Sequence, residues 1–130
     1  MVIPREVTVT GMDGTLIDAA VERGARGIVV AATGGGNTSA TLLAGAERAI
    51  AAGIPVVLAS RALGGRAGTG YAFPGGGATW VRAGALLAGT LSGAKARLAL
   101  SLGLGAGLDG AGLQRLLADP WDADASLDDA

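Results

Sequence analysis

Apolar residues along this chain follow two alternating patterns, short continuous runs and stripes at helical spacing. The runs at residues 28–32 and 56–59 are apolar throughout, as in strands buried on both faces of a parallel sheet. Residues 7–10 alternate Val and Thr and predict another strand. Between the runs lie stripes that predict two helices, formed by Leu16, Ile17, Ala20 and Val21 and then by Leu42, Leu43, Ala46, Ala49 and Ile50. Asp13 is placed to cap the first helix, and Gly24 and Gly53 are placed to end the two helices.

The second half of the chain opens with a glycine-rich loop at residues 63–77, long enough to suggest a functional role. A short helical piece at 79–83 and a fourth short strand at 85–88 are predicted to follow it. Ser92 can cap the next helix, which the glycines at 103–107 are predicted to break. A last helix is predicted from Leu113, Leu116 and Leu117.

Strands that alternate with helices predict an α/β domain with three layers and a small, mainly parallel four-stranded sheet flanked by helices. We assign this domain to residues 1–118, and we interpret the acidic residues 119–130 as a disordered tail. In such sheets ligands bind beyond the carboxyl ends of the strands. The loop at 33–37, the dipeptide Ser60-Arg61 and the loop after it all follow strands, so we expect them along one edge of the sheet.

Composition narrows the chemistry that this chain can perform. The 130 residues include no His and no Cys, which removes the commonest general base and every thiolate ligand or disulfide. We predict neither a metal site nor a cofactor. The ten basic residues form no stripe and do not alternate with aromatic residues, so no nucleic-acid partner is predicted. No apolar run is long enough to cross a membrane and no signal peptide is recognisable, so we expect a cytoplasmic protein with no membrane partner.

The most distinctive local feature is the loop Thr33-Gly34-Gly35-Gly36-Asn37 between a strand and a helix. Its glycines allow a ligand to approach the backbone, and the following helix N-terminus favours anions. An equally physical interpretation is a tight turn with glycines at positive φ, followed by Asn37 or Thr38 as the helix cap. The loop is not a Walker motif because no Lys follows it, and it is not a complete dinucleotide fingerprint.

Four other residues are considered as candidates for contacts. Arg61 can bind a carboxylate through two hydrogen bonds or form an interface ion pair, and Ser60 lacks a His or Lys partner that would make it a nucleophile. Tyr71 and Phe73 lie among glycines and are the chain's only Tyr and only Phe. They suit either a contact surface or anchors that pack back on the domain.

Four segments in this order resemble the C-terminal domain of the bacterial-type L-asparaginase/glutaminase family. They are the strand and loop at 27–37, residues 53–61 with their Ser-Arg end, the glycines around Tyr71 at 70–77, and residues 91–97 with the leucines that follow. Together they span about residues 5 to 118. Each segment alone is a weak signal, and their order and spacing make the resemblance specific.

The resemblance implies a domain that completes an active site without carrying its nucleophile. In this family the N-terminal domain supplies two threonines, an Asp and a Lys that hydrolyse L-asparagine to L-aspartate and ammonia. The C-terminal domain helps to enclose the active site of a neighbouring subunit. The family's loop asparagine corresponds to Asn37, which with Gly36 is therefore the expected substrate contact. Ser60, Arg61 and Tyr71 are expected interface or loop contacts.

Two departures from the family pattern bear on function. Some members contribute a Glu from the loop after the Ser-Arg strand, whereas residues 68–73 contain no acid, which leaves the preference between asparagine and glutamine open. The N-terminal domain is not part of the sequence, so we expect this chain alone to be inactive. Its expected partners are an N-terminal asparaginase domain or neighbouring subunit and a small amino-acid substrate, and we also expect a homo-oligomer. The alternatives are a free-standing small-molecule-binding or protein-interaction module and an anion- or nucleotide-binding domain that uses residues 34–37.

Overall fold

The computed structural model describes residue 3, the backbone of residues 5–7, and residues 11–118. The predicted tail at 119–130 and most of the predicted strand at 7–10 lie outside the described residues. The described chain contains four strands and five helices, which are β1 (Arg5–Val7), α1 (Thr15–Glu22), β2 (Ile28–Ala32), α2 (Ala40–Ala51), β3 (Val56–Ser60), α3 (Gly77–Ala83), β4 (Leu86–Ser92), α4 (Gly93–Gly105) and α5 (Gly110–Leu117).

The strands form one parallel sheet in the order β1-β2-β3-β4, with the three-residue β1 at one edge. The pairing of β2 with β3 runs from Ile28 opposite Val56 to Ala32 opposite Ser60. Consecutive parallel strands need a crossover between them, and α1, α2 and α3 each follow one strand and precede the next. The α/β fold class predicted from the sequence is confirmed.

Two hydrophobic clusters lie on opposite faces of the sheet and define three layers. One face of the sheet packs against α1, α2 and α3, with Val30, Leu42 and Trp80 among its buried residues. The other face packs against α4 and α5, with Val57 and Leu100 in its cluster. All five residues of β2 and all five of β3 are buried, which explains why these strands appear in the sequence as continuous apolar runs.

Helix caps differ from the sequence prediction at two positions. Ser39 caps α2, because its Oγ accepts a hydrogen bond from the Leu42 amide, whereas the sequence predicted Asn37 or Thr38 as the cap. Asp13 accepts a hydrogen bond from the Thr15 amide at 2.9 Å, but the N-cap residue of α1 is Gly14. In both cases the helix begins one or two residues later than the pattern indicated.

Glycines caused two further errors of prediction. Helix α4 continues through Gly103 to Gly105 instead of breaking there. A Cβ at Gly103 would lie 2.5 Å from Leu113 Cδ2. That glycine therefore permits close packing of α4 against α5. Strand β4 extends to Ser92, well beyond the predicted 85–88. Gly89 has φ of +57° and the register with β3 shifts nearby, so the apolar pattern of a regular strand is interrupted.

Within the described residues, no helix combines the length and the apolar character that crossing a membrane requires.

Candidate functional site

The loop after β2 is a tight turn that Thr33 and Asn37 close. The Thr33 amide and the Thr33 hydroxyl both donate to the Asn37 carbonyl, at 3.1 and 2.9 Å, and the Asn37 amide donates back to the Thr33 carbonyl. Gly36 has φ of +110°, and a Cβ there would lie 2.9 Å from Leu58 Cδ2. The turn interpretation of the glycines is therefore correct, and the turn presents Asn37 at the carboxyl end of β2.

Contacts from distant parts of the chain hold this turn in place. The Ser60 hydroxyl donates to the Gly34 carbonyl at 2.6 Å. From the loop between β3 and α3, the Gly68 amide donates to the Gly35 carbonyl at 3.0 Å. The turn is thus part of a rigid arrangement that includes the carboxyl ends of two strands and the long glycine-rich loop.

Asn37 carries an unpaired polar atom. Its Oδ1 is buried and has no hydrogen-bond partner among the described residues. A buried polar group without a partner costs about 1–3 kcal/mol, so native proteins rarely retain one without a reason. A ligand or partner group that donates a hydrogen bond to Oδ1 would remove this cost. The predicted substrate contacts Gly36 and Asn37 thus lie in one turn, and Asn37 Oδ1 in that turn lacks a hydrogen-bond donor among the described residues.

The structure places Ser60 in a structural role. Its side chain is 5% exposed. Its hydroxyl donates to the turn and accepts a hydrogen bond from the Ala62 amide at 3.1 Å. These two hydrogen bonds connect the end of β3 to the turn after β2 and to the backbone that follows Ser60.

Arg61 is exposed and borders a separate cleft of about 280 Å³. This cleft lies at the carboxyl ends of β3 and β4, where Ser60, Thr90 and Ser92 also contribute to its walls. Within the described part of the chain, its lining does not include Asn37. Ser60 thus lines the cleft and also donates to the turn, and Arg61 lines the cleft.

Tyr71 lies beside the glycine turn. A Cβ at Gly35 would be 3.6 Å from Tyr71 Cε2. The Tyr71 and Phe73 rings contact each other with centroids 5.9 Å apart, and they remain 52% and 48% exposed. The two rings thus pack against each other, Tyr71 also approaches Gly35, and both rings present exposed aromatic surface beside the turn.

Sequence reasoning missed two residues that organise the site. Trp80 is fully buried in α3, and its Nε1 donates to the Thr38 hydroxyl at 2.9 Å. Thr38 directly follows Asn37 and also donates its amide to the Gly75 carbonyl at 2.8 Å. The available signal was a single large aromatic residue in a helix of otherwise mostly small residues.

Asp13, just before α1, and Asp18, within it, both have a lowered pKa. The hydrogen bond from Arg48 lowers the pKa of Asp18, which accepts from the guanidinium at 2.7 and 3.0 Å. Hydrogen bonds from Thr15 lower the pKa of Asp13. Both carboxyl groups are therefore ionised at neutral pH, and neither is suited to donate a proton. Among the described residues, no group of three or more acidic side chains could hold a metal ion.

Comparisons with known proteins identify the family of this domain. Residues 7–117 match the family model of the glutaminase/asparaginase C-terminal domain, which confirms the resemblance found in the sequence. Over 56 residues the chain is 48% identical to a glutamyl-tRNA(Gln) amidotransferase subunit from Methanopyrus kandleri, covering 43% of this chain and 12% of that protein.

Among solved structures, the chain superimposes on a probable cytoplasmic L-asparaginase from Campylobacter jejuni with a TM-score of 0.76 and 24% identity. This likeness covers 88% of the chain and 36% of that structure, and it shows a shared fold. The chain thus spans only a small part of the length of either relative.

Proposed function

Because this chain belongs to the glutaminase/asparaginase C-terminal domain family, we propose that it completes the active site of an asparaginase-type amidohydrolase. The proposed reaction is hydrolysis of the side-chain amide of L-asparagine, in which water is consumed and L-aspartate and ammonia are released. The observation that carries the proposal is the buried, unpaired Oδ1 of Asn37 on a rigid turn at the carboxyl edge of a parallel sheet. This atom is able to accept a hydrogen bond, and the ammonium group of an amino acid can donate one.

The nucleophile in this proposal comes from an N-terminal asparaginase domain or from a neighbouring subunit. Amide hydrolysis needs an activated hydroxyl, a base and an oxyanion site in one place. The sequence has no His, and Ser60 uses its hydroxyl to hold the turn. The chain's contribution is therefore to bind and orient substrate through Asn37 and Gly36, and the chain alone is inactive.

The aromatic surface and Arg61 are proposed contacts to the catalytic partner. Tyr71 is half-exposed and adjoins the turn, so a domain that covers Asn37 would also meet this ring. A homo-oligomer in which each copy serves its neighbour is part of the same proposal. A cytoplasmic location is also proposed, by analogy with the probable cytoplasmic L-asparaginase from Campylobacter jejuni.

The test is complementation of a catalytic domain. Ammonia release from L-asparagine is measured with this chain alone, with the isolated N-terminal domain of an L-asparaginase, and with the two mixed. That enzyme's own C-terminal domain is the positive control. Activity in the mixture alone supports the proposal, and activity of this chain alone contradicts it. An inactive mixture beside an active positive control also contradicts it, and amino-acid binding by the free chain would then favour a binding module. Repeating the assay with L-glutamine gives the substrate preference.

A further inference from the structure

No hydrogen bond holds the carbonyl oxygen of the Asn37 side chain. Its Oδ1 makes no hydrogen bond among the described residues. The backbone on either side of Asn37 therefore contributes to the position of this oxygen. On the N-terminal side, the backbone of Asn37 is closed against Thr33 by hydrogen bonds in both directions. On the C-terminal side, the next residue is Thr38.

Thr38 is held by contacts from a segment almost forty residues away. Its amide donates to the Gly75 carbonyl at 2.8 Å. Its hydroxyl lies 3.2 Å from the Gly75 carbonyl and 3.1 Å from the Ser39 carbonyl, either of which can accept its proton. The same oxygen accepts the Trp80 Nε1–H at 2.9 Å. Each hydrogen-bonding function of the Thr38 hydroxyl is thus used.

Trp80, which donates the hydrogen bond to the Thr38 hydroxyl, is itself held firmly in the core. Its side chain is fully buried in the core cluster formed by α1, α2, α3 and the sheet. A large, fully packed ring has few alternative positions, since protein interiors are close-packed. A donor on such a ring therefore constrains the group that accepts its hydrogen bond.

We propose that Trp80 is a positioning residue that fixes the orientation of Asn37 through the Thr38 hydroxyl. The proposal rests on the proposed function insofar as Asn37 contacts substrate. Its structural part, that the indole N–H restrains the backbone at Asn37 and Thr38, can be tested without any activity. The packing of the Trp80 ring and the hydrogen bond from its N–H have separable effects.

The first experiment measures amide hydrogen exchange by NMR in the free chain. Trp80→Phe keeps a buried aromatic ring and removes the donor, and Thr38→Val removes the acceptor. Thr38→Ser keeps the hydroxyl and serves as the conservative variant, and Val81→Ala, an exposed position on the same helix, is the control. We expect exchange at the Asn37 and Thr38 amides to accelerate roughly three- to tenfold relative to β3 amides in the first two variants, the effect of one lost hydrogen bond.

The outcomes distinguish the hypotheses. Unchanged relative exchange in both Trp80→Phe and Thr38→Val, or equal acceleration in Thr38→Ser, would overturn the proposal. Normalising to β3 amides separates local loosening from a global loss of stability. If one variant does not fold, the other still tests the same hydrogen bond from its opposite end.

The second experiment is a double-mutant cycle in the complemented enzyme. Trp80→Phe should change kcat/KM in the same direction as Asn37→Ala and should have no further effect in the Asn37→Ala background. Equal losses in both backgrounds would indicate a general structural role and overturn the proposal. If Asn37→Ala leaves the kinetics unchanged while exchange accelerates as expected, the proposed function of Asn37 fails and the restraint by Trp80 stands.

Discussion

Replacing Gly77 by alanine should destabilise the fold, although Gly77 lies in a helix. It is the first residue of α3 and its φ is not positive, so the usual expectation is a gain of about 0.4–1 kcal/mol from lower unfolded-state entropy. In this structure, however, a Cβ at Gly77 would overlap the carbonyl oxygen of Gly68 in the glycine-rich loop. The contact partner is backbone, so a rotamer change cannot relieve the overlap.

The expected cost follows from what must move. An ordinary carbon–oxygen contact requires a separation of about 3.4 Å, so Gly68 must shift by about 1 Å or more. The Gly68 amide donates to the Gly35 carbonyl at 3.0 Å, and losing that bond costs about 0.5–1.5 kcal/mol. Overpacking of this kind typically costs about 1–3 kcal/mol. We expect Gly77→Ala to lower the free energy of unfolding within that range.

Urea unfolding followed by circular dichroism measures the effect, and Gly110→Ala is the matched control. Gly110 is the first residue of α5, and an added Cβ there meets nothing within 4 Å. The Gly110→Ala control should leave the free energy of unfolding unchanged or raise it by up to about 1 kcal/mol. If Gly77→Ala is as stable as Gly110→Ala, the glycine-rich loop does not pack on α3 as described, and the support it gives to the Asn37 turn is refuted.

Three further predictions test other parts of the structure. Leu100→Ala should destabilise by about 2–5 kcal/mol because its side chain is fully buried between α4 and the sheet, whereas Leu98→Ala on the exposed face of α4 should stay within about 0.5 kcal/mol in the same urea experiment. Ser60→Ala should cost about 1–3 kcal/mol because it removes a donor to Gly34 and an acceptor for the Ala62 amide. The Arg48 hydrogen bond lowers the pKa of Asp18 below its ordinary value of 3.8, so the folded state gains stability above pH 3.8 and loses it as pH falls through the lowered pKa. In thermal unfolding from pH 7 to pH 2, the wild type should accordingly have a higher Tm than Asp18→Asn at neutral pH, and the difference in Tm should shrink below pH 3.8. A difference in Tm that stays constant with pH would contradict the ion pair.

Local patterns in the sequence predicted the parts of the fold that depend on local chemistry. β2 and β3 are continuous apolar runs because both faces of the sheet are covered. Gly24 and Gly53 follow the ends of α1 and α2 at φ of +83° and +81°, as a helix-ending glycine requires. Gly103 was misassigned because its role is contact with α5, which the helix containing it does not reveal.

In the candidate site, too, local features were predictable from the sequence and contacts between distant residues were not. The turn at 33–37 was recognisable from its glycines. Asn37 was predicted as a substrate contact from the resemblance to the asparaginase/glutaminase family, and this role stays a prediction. The bonds that hold the turn join residues far apart in sequence, as between Ser60 and Gly34 or between Trp80 and Thr38. No periodicity encodes such pairs, because they depend on how the strands and helices are arranged around the sheet.

Asn37→Ala tests the central claim most directly when stability and activity are measured on the same protein. Alanine removes a buried oxygen that has no partner among the described residues, so the free energy of unfolding in urea should stay the same or rise. If Asn37 serves a substrate, kcat/KM for L-asparagine in the complemented enzyme should fall by roughly tenfold or more, the effect of one lost hydrogen bond to a charged group. Opposite responses of stability and activity are typical of a residue retained for function. Unchanged kcat/KM, or a loss of activity that only parallels a loss of stability, would contradict the claim that this chain completes an asparaginase-type active site through Asn37.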